Sequence, residues 1–453
     1  MYQEPLSLAI AISGMLIIPF IAYIFFKNTV LDITMLKSNP WPLILYGQLF
    51  LVLVPLLVVN FKGIDNIQIL YVAQPGQELV VTVITIFTLL TYVIFLGIFL
   101  RFWGLYRSKV LPPNAAKKIF NAHSAVWGVS LVALLLLGIF HVMGYKHAFL
   151  FSIIENKSVI FIRLFNKYQS HVPSQLASAL LVAGYVIAVL GGYLHRLGRK
   201  EGWIYLAVAL FVLAAPGDKA PPIKGFLLWM LASGTFLPRK ALSLRAIVFL
   251  SLILVTAGVG IYLVLLRQIP DLNTSVFIEY LINRLGVGQM AGMFETYGLY
   301  EGEGIPGGEY FWHIIPGAKL FINYIDYQKA LMMLTEGYSY TNMGVKNTYF
   351  VAEAWAIGGI LLAFLSPIIV AFSYASGLFF YLRLSSWVFG QELGSIIAIP
   401  IYIMGLDITG GFSPFPLFKG FLLLSIQLVL VGVLPLLQRE LHRLAKEALS
   451  NIR

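Results

Sequence analysis

The sequence predicts an all-α polytopic membrane protein of about eleven transmembrane helices, with one large extracytoplasmic loop domain. Three observations predict it. Hydrophobic residues make up 59% of the 453 and charged residues only 11%, against a charged share of roughly 25% in soluble domains. Mean hydropathy is +0.85. Apolar runs of spanning length recur along the chain, and one long polar interruption, 267–349, breaks their rhythm.

Taken in order, spans are predicted over 6–26, 42–60, 78–102, 124–143, 176–194, 202–216, 225–237, 246–266, 350–374, 393–409 and 417–437. Each is long enough, or nearly so, to cross ~30 Å of hydrocarbon as a helix. No cleavable signal peptide is expected, because the run after Pro5 is long enough to span and has no basic region before it. The two short spans, 202–216 and 225–237, flank the polar turn Pro216-Gly-Asp-Lys-Ala-Pro-Pro-Ile-Lys224. It is expected to dip toward the membrane, where non-helical backbone survives only under protein or beside a wet cavity. The segment 145–175 mixes apolar residues with Lys146, Lys157, Arg163 and Lys167. It is expected to lie as an amphipathic helix along the outer interface. The tail 438–453 sets Leu441, Leu444 and Ala448 on one face and reads as an interfacial helix on the inner leaflet.

Basic residues set the orientation. Lys27, Lys37, Arg101, Arg107, Lys109, Lys117, Lys118, Arg196, Arg199, Lys200, Arg239, Lys240, Arg245 and Arg383 fall in mostly short connections on one side, with the basic tail. That side is cytoplasmic, so 267–349 faces outward. The same bias accounts for the net charge of +11 without a nucleic-acid partner. With no cysteine, disulfides, thiolate metal sites and Cys nucleophiles are excluded. The zinc-protease, phosphate-loop and serine-hydrolase signatures are absent. The Gly-rich acidic run 298–309 lacks the alternating ligands of a calcium loop.

Loops as long as 267–349 are functional or disordered, and this one is too rich in Phe, Tyr, Trp, Leu and Ile for disorder. It reads as a folded cap. Cations gather on the outer side: Lys219 and Lys224 in the polar turn, Arg284 opening a helix expected over 283–297, and Lys346 ahead of the next span. Ionisable groups at membrane depth are costly and mark functional pathways. Cations in a sheltered membrane-edge cavity suit a phosphate or pyrophosphate. Gln289 and Glu295 ride on the expected helix, Asn347 and Thr348 lead into a span carrying Glu353, and Asp407 ends another. The interleaved aromatics, Tyr297 among them, suit apolar sugar faces or an interfacial belt.

At this point the order of features resembles the Wzy-class polymerases of O-antigen and enterobacterial common antigen. Pro216-Gly-Asp-Lys219-Ala220 is similar to their short turn between two spans, and Asn283-Arg284-Leu-Gly-Val-Gly-Gln289 to their Arg-led periplasmic helix. Ile315-Pro316, Thr348 with Ala356-Ile-Gly358-Gly359, and Gly405-Leu406-Asp407 follow in the same order. The likeness covers the half of the chain from Ile204 on. Where relatives carry an Arg-Glu pair before Gly-Leu-Asp, this chain has Ile403-Met404, so Lys419 or Lys346 must supply that charge.

The resemblance implies a GT-C-like glycosyltransferase in the bacterial inner membrane with its active site on the periplasmic side. It implies transfer of a growing glycan from undecaprenyl pyrophosphate to the non-reducing end of a lipid-linked repeat unit. It also implies work alongside a flippase and a chain-length regulator. Such chemistry needs cations for the leaving pyrophosphate, here Arg284, Lys219, Lys224 and Lys346. It needs a base for the acceptor hydroxyl, with Glu295 and Asp407 as candidates. Gln289, Tyr297, Asn347 and His313 are candidates to hold sugar, and neither metal nor other cofactor is called for. A ligase delivering glycan to a lipid A core, leaning on His313, is the near alternative. A transporter is the far one, and would show discontinuous helices.

Overall fold

The computed structural model describes residues 5–36, 39–106, 119–172, 174–218, 220–234, 277–279, 282–300, 312, 322, 327–337, 347–389, 391–405, 408 and 412. These residues form helices and short connections, and no strand forms among them. The expected spans 246–266 and 417–437 and the tail lie outside them.

Six described helices are long and apolar enough to cross a membrane. They are α1 (Pro5–Phe26), α2 (Pro42–Lys62), α3 (Glu78–Phe102), the apolar parts of α4 (Ile119–Val142) and α7 (Ser174–Arg196), and α12 (Phe350–Phe389). Their polarity is arranged for lipid. α1 turns Ser7, Ala11, Gly14, Ile18, Ala22 and Phe26 inward, while Leu16 and Phe20 stay exposed. Small inward residues let backbones approach closely, the main source of helix association where lipid is as apolar as leucine. A methyl on Gly14 of α1 would lie 2.6 Å from Ile86 Cδ1 of α3, and one on Gly97 of α3 would lie 2.7 Å from Phe25 Cβ of α1.

The helices sort into two groups. α1, α2, α3 and α12 pack together, and α4 and α7 pack with the shorter α8 (Gly202–Ala214) and α9 (Ala220–Ser233). α13 (Gln391–Gly405) touches α12, α7 and α2 and so bridges the two. One end of the bundle carries 27–32 and 103–106, joined by the Val30 N–H donating to Leu105 O at 2.9 Å. The other end carries 63–77 and the α8–α9 turn. We refer to the latter as the loop end.

Several expected boundaries move. α9 begins at Ala220, because Pro221 and Pro222 fit a first helical turn whose N–H groups have no intrahelical acceptor. The polar turn is therefore shorter than 216–224, and Lys224 stands within a helix. The segment 145–175 is two helices, α5 (Ala148–Ile154) and α6 (Val159–Gln169), separated by Asn156 at φ 51°. The helix expected over 283–297 is broken: a π-helical turn, Ile282–Val287, packs on α2, and α10 starts only at Ala291 and runs to Tyr300. Gly286 and Gly288 are poor helix formers at that break. α11 (Tyr327–Glu336) packs against α10.

The largest departure is in α12, expected as one span over 350–374. Its backbone leaves helical geometry at Gly358 and at Gly359, the latter at φ 70°, ψ −167°, open essentially to glycine alone. Beyond the break the helix runs parallel to α3, with Phe364 beside Phe87, Phe372 beside Phe99 and Phe379 stacked on Trp103. Carried backwards, that register would set Phe350 beside 73–77. Phe350 instead packs on Tyr92, at least fifteen residues or roughly 20 Å further down α3 at ~1.5 Å per residue. The chain therefore doubles back. A half-helix, 350–358, rises from the depth of Tyr92 to Gly358–Gly359, and the long arm descends again. α13 ends at Gly405, and the Phe350 N–H donates to Ile408 O at 3.2 Å. The end of α13 and the start of the half-helix thus meet inside the bundle.

Candidate functional site

Two helices start side by side below the loop end. The Gly292 N–H donates to Asn347 O at 3.0 Å, which ties the first turn of α10 to the chain entering the half-helix. Only glycine permits this approach, since a Cβ at 292 would lie 2.2 Å from Thr348 Cγ2 and 2.7 Å from Asn347 O. The residues leading into the two helices bond to one another, Asn347 Nδ2 donating to Gln289 Oε1 at 2.9 Å. Tyr297 of α10 meets Trp355 of the half-helix edge to face at 5.7 Å, so the two rise together.

Hydroxyls lock the base of this pair. Thr296 Oγ1 donates to Gly292 O at 2.6 Å and sits 2.5 Å from Tyr327 Oη, which then serves as donor to it. Gln328 Nε2 donates to Thr348 Oγ1 at 3.3 Å. α10, α11 and the half-helix form one hydrogen-bonded block, with the N-terminal, electropositive ends of α10 and the half-helix adjacent.

Two fully buried carboxylates fasten that block to its surroundings. Glu295 is 0% exposed. It accepts the backbone N–H groups of Tyr71 (2.6 Å, Oε1), Val72 (2.8 Å, Oε2) and Ala73 (3.2 Å, Oε2). Gly298, one turn on, lies against the Val72 carbonyl. Glu353, also 0% exposed, accepts the Phe412 N–H at 2.6 Å through Oε2. Glu295 thus receives three N–H groups of the loop between α2 and α3, and Glu353 receives that of Phe412, 59 positions further on.

The sequence-flagged residues separate accordingly. Gln289, Glu295, Tyr297 and Asn347 come together in this block. Arg284 sits on the π-helical turn against α2, and its side chain lies outside the described ones, as do residues Lys219, His313, Lys346 and Asp407. Lys224 is on α9, which packs chiefly on α7 and α8, so the described contacts do not bring it to Gln289 and Asn347. Tyr327, Thr296 and Gln328 were not singled out by sequence, and no local pattern marks them.

Cations nearer α8 are engaged locally. Asp218, adjacent in sequence to Lys219, pairs with Arg163 of α6 at 2.7 Å. Glu155 binds Lys146 at 2.5 Å and Lys157 at 3.2 Å, and hydrogen bonds from these ammonium groups hold its carboxyl below the usual range. Asn166 pins the two ends of this element, accepting the Lys146 N–H at 2.8 Å and donating to Lys146 O at 2.6 Å. His147 caps α5, its Nδ1 accepting the Leu150 N–H at 3.3 Å while Nε2 lies 2.9 Å from Phe211 O. Those partners specify a neutral ring protonated on Nε2, and burial lowers its pKa. Among the described residues no group of three His, Asp or Glu is placed to hold a metal ion.

No protein-family model, curated protein or solved structure matches the chain. What the site does is therefore argued from its chemistry.

Proposed function

We propose that the chain is a multi-pass inner-membrane glycosyltransferase of about eleven spans and GT-C-like architecture, with its site facing out of the cytoplasm. In this reading it polymerises undecaprenyl-pyrophosphate-linked oligosaccharide repeat units, alongside a flippase and a chain-length regulator. The observation that carries the proposal is the pairing of two helix starts, α10 and the half-helix, through the Gln289–Asn347 bond. Each start is preceded in sequence by a cation, Arg284 before one and Lys346 before the other. Helix N-termini and guanidinium or ammonium groups are complementary to a diphosphate. They stabilise the charge that develops as the glycosyl–phosphate bond breaks.

In this mechanism Arg284 and Lys346 hold the leaving pyrophosphate, with Lys219 and Lys224 as further cations along the outer face. Gln289 and Asn347, already bonded to each other, orient sugar hydroxyls, and Tyr297 beside Trp355 offers an apolar sugar-stacking face. The acceptor hydroxyl gives its proton to a carboxylate while its oxygen attacks the anomeric carbon. Glu295, buried under three backbone N–H groups, is better suited to hold the site's shape than to take that proton, which leaves Asp407 as the stronger candidate. The glycosyl–pyrophosphate bond supplies the driving force. Replacing Arg284 by alanine tests the clamp: chain lengthening should stop at normal membrane abundance, and wild-type polymer length would reject it.

A second reading, transport of a polar or lipid-linked solute, has one specific support. The half-helix doubling back at Gly358–Gly359 and the end of α13 inside the bundle are discontinuous helices of the kind transporters place at their substrate sites. A transporter moves labelled substrate across liposomes without changing its mass, whereas a polymerase changes the mass.

A further inference from the structure

The place where the half-helix, the long arm of α12 and α13 meet α3 is lined by hydroxyl groups. On α3, Thr82, Thr85, Thr88 and Tyr92 follow one another at spacings that keep them on a single helix face, and all four are 0% exposed. Thr82 accepts from Asn60 Nδ2 at 2.7 Å, and Thr88 donates to Ile84 O at 2.7 Å. Thr85 Oγ1 and Tyr92 Oη have no hydrogen-bond partner among the described residues, nor do Tyr374 Oη and Ser376 Oγ on the long arm of α12. Tyr402 of α13 joins them, donating to Tyr374 O at 3.3 Å.

Tyr92 packs on Phe350 at the foot of the half-helix, and Tyr374 packs on Tyr402. Tyr92, Tyr374 and Tyr402 therefore gather near the foot of the half-helix and the end of α13, where helices are interrupted, with the threonines above them on α3 and Ser376 further along the long arm. A hydroxyl buried in a bilayer interior without a partner is strongly disfavoured. Several together at one interruption call for an occupant offering both donors and acceptors. Water, bridging two to four polar groups, fits.

We propose that this junction is an intramembrane site for ordered water, reached from the loop end along the threonine face of α3. The water satisfies the Thr85, Tyr92 and Tyr374 hydroxyls and wets the foot of the half-helix. This places a polar medium within the hydrocarbon layer just below the block that carries Gln289 and Asn347. It stands whether the chain polymerises or transports.

The absence of cysteine makes the test direct. Thr85→Cys and Thr88→Cys, both on the threonine face of α3, are near-isosteric reporters. Gln68→Cys, exposed in the loop between α2 and α3, marks the loop-end side, and Thr91→Cys, at a half-buried position on the outer side of α3, marks the lipid side. Each single-cysteine protein in sealed vesicles is treated with a charged, membrane-impermeant thiosulfonate from either side. The expected result is labelling at 85 and 88 from the side that labels 68, within roughly a hundredfold of its rate, with 91 silent. Cysteines at 85 and 88 that react only after denaturation would show a dry seam and overturn the proposal. As a second measurement, Tyr92→Phe and Tyr374→Phe should leave Tm equal or lower, since each removes a water-bound hydroxyl. A raised Tm would mean that the hydroxyls were unsatisfied and would equally overturn it.

Discussion

Replacing Glu295 by alanine removes the acceptor for three backbone N–H groups, those of Tyr71, Val72 and Ala73, at distances of 2.6, 2.8 and 3.2 Å. A hydrogen bond to a charged group contributes about 1.5–3 kcal/mol, and a buried donor left without a partner costs about 1–3 kcal/mol. Part of this is recovered if the loop moves out to water, so a net loss of about 3 kcal/mol for the local structure is expected. That energy corresponds to roughly a hundredfold change in a local opening equilibrium, at tenfold per 1.4 kcal/mol. Hydrogen–deuterium exchange reads it directly: amides 71–73 should exchange about a hundred times faster in Glu295→Ala. Glu295→Gln keeps one oxygen but points an NH2 at the remaining donors, so it should fall between alanine and wild type. Exchange at 71–73 unchanged in the alanine variant would refute the argument that this carboxylate fastens α10 to the loop between α2 and α3.

Other substitutions probe the remaining joints. Gly292→Ala drives a methyl into Thr348 Cγ2 and the Asn347 carbonyl. It should cost about 1–3 kcal/mol, read as a lowered Tm, with Gln289 and Asn347 separating in a structure of the variant. Gly359→Ala forces a side chain into a backbone region reserved for glycine and should destabilise by about 1–3 kcal/mol; an unchanged Tm would mean the reversal lies elsewhere. His147 gives a pH signature. Its folded pKa is depressed, so the unfolded ring binds more protons in the window below its ordinary ~6.5, and its contribution is full above that and lost as pH falls through the folded value. Protection of amides 148–154, exchange measured against the intrinsic rate at each pH, should therefore fall on acidification from neutral pH, and His147→Ala should flatten the response.

Much of the bundle was legible because hydropathy reports burial in lipid without needing tertiary information. Expectations of 6–26 and 78–102 compare with α1 at Pro5–Phe26 and α3 at Glu78–Phe102. Direction was not legible. From 350 to 389 the chain is apolar almost throughout, and nothing in that run says that 350–358 climbs while the remainder descends. The signal was Gly358-Gly359, visible as residues but read as part of a smooth span. Inside the site, Gln289 and Asn347 were each flagged as sugar contacts, yet sequence could not show that they bond to each other across 58 positions. Glu295 looked like a candidate base because a carboxylate on a polar helix does. Its observed partners are backbone groups more than 220 residues earlier, and such an acceptor role leaves no local trace.

The row Thr82, Thr85, Thr88 and Tyr92 could have been found from sequence, since hydroxyl residues at helical spacing stand out in a run as apolar as α3. Lys224 illustrates the opposite error. Its sequence distance from the α8–α9 turn suggested a loop cation, but two prolines suited to a helix start drew the helix boundary back to Ala220.

Purified protein reconstituted with an undecaprenyl-pyrophosphate-linked repeat unit, its products weighed by mass spectrometry, tests the central claim most directly. The account predicts lipid-linked glycans lengthened by whole repeat units in wild type and none in Arg284→Ala. Substrate of unchanged mass with wild-type protein, above all if it has crossed to the other leaflet, would contradict it.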